Sequence, residues 1–508
     1  MSAASVLARP KPAARQHGLA FWMDRVLEEC DRASVEFAAD PVHDLRVALR
    51  RCRSMADGLM AMDPDPSWKQ MKKSGRLLFR SLGELRDVQI MEEWIGKLAS
   101  SDDPVAMRLL QYLAARGAHL KQQAAEALHA FDQKQWKRWI RSLSRRAARI
   151  RSGSLIFQHL ALERWSEAQA LHQKALRNRS QVAFHSLRIG IKRFRYIVEN
   201  FLPEQHQKWG GDLKELQDLL GEVHDLDILW ATALQIEAFT EPESRSRWRA
   251  RIQDERSRRI HRYKSKMVGP ASLWPVWRAQ LPSGKQQDAA TLARLKLWAS
   301  FLDPDLQHST RVAQLAVQLY DRLPARPAPA SVTAEEREIV RAASLLHDVG
   351  RLQKEKNHQK ATYRLIGRLK APLGWNTAKV RMVAAVARYH RGALPRAGQK
   401  ALADFLPAQR QAVIRLAGIL RLANALDGDH SGRIRRIAVE ETNGVILLSA
   451  EGYEPKDRLA EEIAAARHLL EIVYRRPLLV RAMDPNRRSR KPVISRHRAL
   501  GPQLVRRS

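Results

Sequence analysis

Two stretches of the sequence each place one histidine and three cations at the spacing of a helix face. In both stretches the cations follow the histidine by three, seven and ten residues. Residues three and four apart project from the same side of an α-helix, so each stretch predicts a cationic ridge suited to anionic oxygens. The two ridges consist of His43, Arg46, Arg50 and Arg53, and of His185, Arg188, Lys192 and Arg195.

The ridges belong to a duplicated unit. His43 and His185 are 142 residues apart, and the motif at residues 82–87 recurs at residues 220–225, an offset of 138. A single charged helix face is usually a solvated surface, but solvation gives no reason to repeat a histidine and three cations in register. The duplication therefore favours a binding surface. Apolar residues in both helices predict a buried underside, formed by Leu45, Leu49, Cys52 and Ala56, and by Leu187, Ile191, Phe194 and Val198.

The composition restricts the partners and the compartment. A chain of 508 residues with 44% hydrophobic and 28% charged residues is long enough for two or more globular domains. Its formal net charge of +35 favours polyanions, namely nucleic acid, polyphosphate or an anionic membrane surface. Two cysteines provide no disulfide framework, and no apolar run approaches the roughly 18 residues of a membrane span. We therefore expect a soluble cytoplasmic protein.

The repeated pattern resembles the conserved histidine α-helical domain family, known as CHAD. Its marks are the pattern His-x-x-Arg-x-x-x-Arg/Lys-x-x-Arg, present twice, and a Leu-Gly-Glu-x-x-Asp motif after each copy. The resemblance covers residues 19–282. It implies two similar helical bundles around a central basic cleft, and binding of inorganic polyphosphate. His224 stands where the first motif has Arg86, so the two halves are expected to contribute unequally.

Inorganic polyphosphate is therefore the expected partner of the ridges and of neighbouring cationic helices. Arginine forks bind phosphate oxygens bidentately, and bound phosphate restores the proton of a histidine among cations, so affinity is expected to rise toward pH 6. The cations of residues 138–149 face either this ligand or solvent, and the sequence leaves both open. The expected polyphosphate-binding residues are His43, Arg46, Arg50, Arg53, Lys72, Lys73, Arg76, Arg80, Arg138, Arg145, Arg149, His185, Arg188, Lys192, Arg193, Arg195 and Lys214.

Nucleic acid is the general competitor for any basic surface. The ridges carry few aromatic residues for base stacking and no recognisable nucleic-acid-binding motif, so we expect nucleic acid to compete only non-specifically. The expected location of a polyphosphate-binding protein is the cytoplasm, in association with polyphosphate granules.

A second group of residues has the chemistry of metal ligands. His308 begins an amphipathic helix, His347 and Asp348 end an apolar helix in a His-Asp-x-Gly motif, and Asp427 follows a third apolar stretch. Imidazole and carboxylate bind magnesium and divalent first-row metals. A carboxylate at the end of an apolar helix also needs a partner for its charge. The group predicts either a working metal site or a structural remnant of one.

This second group resembles the HD superfamily of metal-dependent phosphohydrolases, and more closely the C-terminal domain of exopolyphosphatases and guanosine pentaphosphatases. Residues 301–308 and 387–391 carry the local marks of that domain. The resemblance implies a divalent metal, one of Mn, Mg, Fe or Zn, with Asp348, Arg351 and His358 nearest the chemistry. The implied ligands are His308, His347, Asp348 and Asp427, with His358 and His390 as candidates for a second metal.

These patterns predict a mainly α protein: a duplicated helical bundle with pseudo-twofold symmetry, then an α-helical HD-type domain with a small β hairpin at residues 434–440 and 444–449. The expected segments are a flexible N-terminal segment (1–18), the CHAD domain (19–282), a linker (283–288), the HD-like domain (289–483) and a basic disordered tail (484–508). The leading function is polyphosphate binding. The alternatives are a metal-dependent phosphohydrolase acting on polyphosphate or guanosine polyphosphates and, third, a nucleic-acid-binding protein.

Overall fold

A computed structural model describes residues 18–35, 37, 39–324, 330–353, 356–396 and 398–483. The expected flexible segment, apart from its last residue, and the expected basic tail lie outside these residues. The described residues form eighteen α-helices and one three-stranded sheet, which confirms the prediction of a mainly α protein. None of the described helices combines the length and the apolar character that crossing a membrane requires.

The chain divides into two compact units, Met1–Phe301 and Leu302–Ser508. The helices of the first unit are α1 (Leu19–Val35), α2 (Ala39–Leu59), α3 (Ser67–Ser74), α4 (Arg76–Leu98), α5 (Pro104–His129), α6 (Gln133–Ala147), α7 (Leu155–Asn178), α8 (Gln181–Phe201), α9 (Pro203–Gln235), α10 (Pro242–Met267), α11 (Leu273–Ala279) and α12 (Lys285–Ala299).

The two ridges lie on α2 and α8, which are each 21 residues long and contact one another. The predicted undersides of both helices are confirmed, because all eight of their apolar residues are fully buried. The duplicated Leu-Gly-Glu motifs lie on α4 and α9, which also contact each other. A core shared by α4, α5, α9 and α10 includes Trp94, Leu109, Leu226 and Trp248. Burial of these apolar faces turns the cations of α2 and α8 toward the same region.

The helix α12 packs against the first unit, although the expected linker at residues 283–288 placed most of it in the second domain. Arg294 Nη1 donates to Glu163 Oε1 of α7 over 2.6 Å, and both side chains are less than one-tenth exposed. Thr291 Oγ1 lies 3.4 Å from His159 Nε2 of the same helix. The division between compact units therefore falls after Phe301.

The second unit combines helices with one small sheet. Its elements are α13 (Leu306–Arg322), α14 (Ala330–Leu346), α15 (His358–Gly367), α16 (Thr377–Arg388), α17 (Pro407–Leu426), β1 (Ile437–Thr442), β2 (Val445–Ala450), α18 (Arg458–Tyr474) and β3 (Leu478–Ala482).

The predicted β hairpin is confirmed as the antiparallel pair of β1 and β2. Asn443 and Gly444 join the strands with φ angles of 49° and 79°, the left-handed conformation that an Asn-Gly hairpin turn requires. The sequence did not indicate β3, which pairs with β2 in parallel after the α18 crossover. The sheet therefore has three strands rather than the two expected.

Candidate functional site

The duplicated helices of the first unit enclose a cavity of about 360 Å³. It is bounded by α2 and α8, which carry the ridges, and by α4 and α9, which carry the Leu-Gly-Glu motifs. The six cations that line it are Arg46, Arg50, Arg86, Lys97, Arg188 and Lys192. We call this cavity the cationic cleft.

Four of these cations come from the ridges, two from each copy of the duplicated unit. None of these four forms an ion pair with a carboxylate among the residues that the structure describes. Burial and the neighbouring guanidinium groups, first Arg188 and then Arg50, lower the pKa of Lys192 to about 8. Burial and Arg50 also lower the pKa of Arg46. The cleft therefore holds closely spaced positive charge, which Asp87 and Asp225 offset in part and an external anion would offset further.

Four carboxylates also line the cleft, but three of them are paired with cations other than the four ridge cations. Glu93 pairs with Arg86 at 3.2 Å, and the two from α9, Asp218 and Glu222, pair with Lys214 and Arg259. Asp225 is the fourth. Burial, with Asp87 adding repulsion, raises the pKa of Asp225 to about 6. Much of the negative charge at the cleft is therefore neutralised.

The aromatic rings of the cleft are covered by cations. Lys97 Nζ and Arg259 Cζ each lie 5.0 Å from the centroid of the Trp94 ring. Arg53 lies over Phe79 at 5.0 Å, and Lys192 lies 5.8 Å from the Tyr196 ring centroid. These cation–π contacts occupy ring faces on which a nucleobase would otherwise stack.

Of the expected polyphosphate-binding residues, the structure brings Arg46, Arg50, Arg188 and Lys192 together in the cleft. The others do not line it. The exposed ones are His43, Lys73, Arg76, Arg138, Arg145, His185 and Arg193. Those held by other groups are Arg53 (Lys72 carbonyl), Lys72 (Asp57), Arg80 (Glu84), Arg149 (Ser300), Arg195 (Glu199) and Lys214 (Asp218).

Two cleft cations were not expected from the sequence. Arg86 is part of the first Leu-Gly-Glu motif, so the repeat itself was a signal for it. Lys97 lies three turns further along α4 and carries no signal in the sequence. Its place in the cleft depends on how α4 packs against α9.

The second unit gathers the expected metal ligands into two overlapping groups of three. One group joins His308, His347 and Asp348, and the other joins Asp348, His358 and His390. All five side chains are buried. We call these five residues the histidine cluster. They come from α13, α15 and the turns that follow α14 and α16.

The histidine rings are held by hydrogen bonds on their Nδ1 side. His347 donates to the carbonyl oxygen of Ser344 over 2.7 Å, and His390 donates to that of Ala387 over 2.8 Å. Both rings turn Nε2 toward Asp348, which lies 3.7 Å away in each case. A carbonyl or carboxylate oxygen bonded to Nδ1 is the usual arrangement around a metal-binding histidine, because it fixes the tautomer with a lone pair on Nε2.

Asp348 lies at the centre of the cluster. One of its oxygens is 3.1 Å from His358 Nε2, and the other accepts from Arg351 Nη1 at 3.1 Å. Burial alone would raise the pKa of this carboxyl group, but the surrounding histidines hold it well below its usual range. Burial followed by repulsion from His347 lowers the pKa of His390 well below its usual value. A carboxylate beside several imidazole nitrogens is a donor set that fits a divalent metal, which would polarise a bound phosphate oxygen.

Asp427 lies outside both groups of three. Its carboxylate accepts from His308 Nδ1 at 2.7 Å, from Arg311 Nε at 2.9 Å and from the Gly432 amide at 3.0 Å. In its place, Asn424 Oδ1 lies 3.1 Å from His308 Nε2 and about as close to His347. The sequence indicated neither Asn424 nor Arg311, although Arg311 is one turn from His308 on the same helix face.

Comparison with known proteins agrees with both resemblances. The family model of the CHAD domain matches residues 23–234, and that of the Ppx/GppA phosphatase domain III matches residues 293–460. The crystal structure of the CHAD domain from the plant Ricinus communis is similar over 51% of this chain and 88% of that chain, with 21% identity and a TM-score of 0.35. No curated protein matches the chain. The chain therefore carries a CHAD domain followed by a domain III of the Ppx/GppA phosphatase type.

Proposed function

We propose that the protein binds inorganic polyphosphate in the cationic cleft of its first unit. The presence of both domains already indicates a function related to polyphosphate. The observation that carries the finer proposal is the convergence of Arg46, Arg50, Arg188 and Lys192 from both copies of the repeat on one cavity. A flexible chain of phosphates with about one charge each would relieve the repulsion among these cations.

The pairing of charges elsewhere supports a specific cleft over general charge attraction. The arginine-rich helix α10 also contains many cations, but those that face α9 are paired with its acids. Arg256 pairs with Asp227 at 3.1 Å, Arg259 with Glu222 at 2.7 Å, and Lys266 with Asp212 at 3.2 Å. The four ridge cations that line the cleft, Arg46, Arg50, Arg188 and Lys192, form no such ion pair with a described carboxylate, so their charge is available to a ligand.

The covered aromatic faces favour polyphosphate over single-stranded nucleic acid. Base stacking contributes roughly 1–3 kcal/mol per base, and a cation already occupies one or both faces of Phe79, Trp94 and Tyr196. A ligand without bases loses nothing from this arrangement. Long-chain polyphosphate is therefore expected to displace RNA from the protein at matched phosphate concentration.

The test compares two full-length variants that remove the same charge. One changes Arg46, Arg50, Arg188 and Lys192 to alanine, and the other changes four exposed arginines of α10, Arg245, Arg247, Arg249 and Arg258. The cleft variant is expected to lose about 100-fold or more in polyphosphate affinity, since each charge-assisted contact contributes roughly 1.5–3 kcal/mol. The α10 variant is expected to lose only a few-fold. Equal losses would mean general charge attraction and would overturn the proposal.

A second candidate function is metal-dependent hydrolysis of a phosphate compound at the histidine cluster, and the arrangement of donors around Asp348 favours it. The bound metal would supply Lewis acidity and an activated water. Arg351, which donates to Asp348 at the edge of the histidine cluster, would face the substrate. Polyphosphate and guanosine polyphosphates are the candidate substrates.

Metal content and turnover test this second function separately. The full chain with Mn²⁺ is expected to release orthophosphate from one of the two substrates, and Asp348→Asn is expected to abolish both metal binding and release. If the chain binds the metal without turnover of either substrate, the histidine cluster is a structural metal site. Polyphosphate binding by the cleft is unaffected by either result.

A further inference from the structure

A second cavity lies in the second unit, beside the histidine cluster but outside it. It has a volume of about 320 Å³ and lies between the exposed face of α13 and the segment at residues 431–435. Its polar side chains are those of Gln307, Arg311, Gln314, Gln318, Ser431 and Arg435. No aspartate or glutamate is among its lining residues within the described chain. We call it the α13 cavity.

The lining of the α13 cavity is rich in donors for an anion. Arg435 is exposed and forms no ion pair with the carboxylates that the structure describes. Glutamine amides and guanidinium groups donate hydrogen bonds to phosphate oxygens, whereas the Ser431 hydroxyl already donates to Asp429. Ligand pockets span roughly 300–1,000 Å³, and this one is at the small end of that range. The occupant that fits is a small anion.

Arg311 connects the α13 cavity to the histidine cluster. Its Nε donates to both oxygens of Asp427, at 2.9 and 3.1 Å, and its Nη2 donates to the His430 carbonyl at 2.7 Å. No hydrogen bond or ion pair of its Nη1 is seen within the described residues. The same Asp427 accepts from Nδ1 of His308. The Arg311 guanidinium group therefore faces the cavity on one side and, on the other, binds Asp427, the partner of His308.

Gly432 allows this placement. A Cβ atom at this position would lie 2.9 Å from Cδ of Arg311, and the glycine has a φ of 68°. Its amide also donates to Oδ1 of Asp427 at 3.0 Å. The backbone at this corner is shaped to keep the guanidinium group between the cavity and the carboxylate.

We propose that the α13 cavity binds a phosphate group, as free orthophosphate or as the terminal group of a polyphosphate, and that this anion competes with Asp427 for Arg311. Arg435 and Gln314 complete the site. Binding weakens the grip of Arg311 on Asp427, so the occupant changes how His308 is held. The cavity is thus an effector site for the histidine cluster, and the proposal requires neither polyphosphate binding in the cleft nor hydrolysis at the cluster.

The test uses the full chain with Arg46, Arg50, Arg188 and Lys192 changed to alanine, in EDTA, so that neither these ridge cations nor a bound metal captures phosphate. Orthophosphate is titrated into this protein by calorimetry, followed by its Arg435→Gln and Arg436→Gln versions. The two arginines are adjacent and exposed, but only Arg435 lines the cavity. Arg435→Gln is expected to weaken binding about tenfold, the effect of one charge-assisted contact, and Arg436→Gln less than twofold.

Equal affinities of the two versions, or no orthophosphate binding by the parent, would overturn the proposal. Tripolyphosphate identifies the source of the anion. If it binds more tightly than orthophosphate and loses the same factor in Arg435→Gln, the terminal group of a chain is the occupant. If it binds more weakly, free orthophosphate is the occupant. Gln314→Glu, which adds a carboxylate to the cavity, is expected to weaken binding in either case.

Discussion

The Nε2 atoms of His358 and His390 lie 3.1 Å apart in the histidine cluster. His390 already donates its Nδ1 proton to the carbonyl oxygen of Ala387, and its burial disfavours a second proton. Its Nε2 is therefore a lone pair, and a proton or a cation must lie between the two rings. Asp348, 3.1 Å from His358, fits either occupant, since a carboxylate accepts from a protonated Nε2 and also binds a divalent metal.

Removal of His390 is therefore expected to weaken binding of a divalent metal. We expect His390→Ala to lower Mn²⁺ affinity about 100-fold, at the upper end of the 10- to 100-fold losses seen when even the groups that hydrogen-bond to metal ligands are changed. Isothermal titration calorimetry on the full chain measures the effect. The matched control is His468→Ala, because His468 is exposed on α18. If both variants bind Mn²⁺ like the parent protein, His390 is not a metal ligand.

The glycine of the His-Asp-x-Gly motif has a steric role. A Cβ atom on Gly350 would lie 2.5 Å from the His358 carbonyl oxygen and 2.5 Å from the Thr362 amide nitrogen. Both are backbone atoms of α15, which cannot move without shifting His358. We expect Gly350→Ala to lower the unfolding free energy by about 1–3 kcal/mol, the typical cost of overpacking. Urea titration of the full chain measures the change.

Gly367→Ala is the control for that substitution. Gly367 ends the same helix, and no atom lies within 4 Å of the position where its Cβ would be. Its replacement is expected to leave the unfolding midpoint unchanged or slightly raised. A loss in Gly367→Ala as large as in Gly350→Ala would mean that backbone freedom, not close packing, explains the motif glycine.

Sequence periodicity predicted the ridges because it reports which side of a single helix is buried. The duplicated pattern then identified Arg46, Arg50, Arg188 and Lys192, which the structure brings into one cleft. Periodicity does not report which helices face each other. For that reason it gave no sign of Lys97, or that acids of α9 pair with the cations of α10.

The same limit applies in the second unit. The His-Asp motif and the distant histidines were visible as residue types, and the structure gathers them around Asp348. Arg311 bonds to Asp427 because α17 packs against α13. The spacing of residues along the sequence does not show which helices pack together. The strand β3 was missed because its five residues, partly exposed, show no alternation strong enough to separate them from a loop.

The buried ion pair of α12 makes a prediction about the first unit. Arg294 and Glu163 are 2.6 Å apart, and Arg294 Nη2 also donates to the carbonyl oxygen of Ala61. We expect Arg294→Ala to destabilise the first unit by about 3–5 kcal/mol, because it leaves a buried carboxylate without its cation. Thermal unfolding followed by circular dichroism measures the loss. Replacement of both residues by methionine is expected to recover most of it, and failure to recover would show that the Ala61 contact dominates.

Because of the pKa of Lys192, polyphosphate binding is expected to weaken at alkaline pH. Burial and the neighbouring guanidinium groups lower this pKa to about 8 in the free protein, whereas bound phosphate favours the charged form. Above pH 8 the complex must take up a proton that the free protein has lost, so affinity is expected to fall by up to about tenfold per pH unit. Below pH 7 this lysine contributes no further change.

Asp225 is expected to change polyphosphate affinity at acidic pH. Its pKa is raised to about 6 by burial and by repulsion from Asp87, so one carboxylate of the cleft becomes neutral below that pH. Polyphosphate affinity is therefore expected to rise below pH 6 and to fall above pH 8.

Fluorescence anisotropy with long-chain polyphosphate across this pH range measures both changes in affinity. Lys192→Arg should abolish the alkaline fall, since a guanidinium group stays charged, and Asp225→Asn should abolish the acidic rise. If the acidic rise persists in Asp225→Asn, Asp225 is not its source. An alkaline fall that persists in Lys192→Arg would place the polyphosphate away from Lys192.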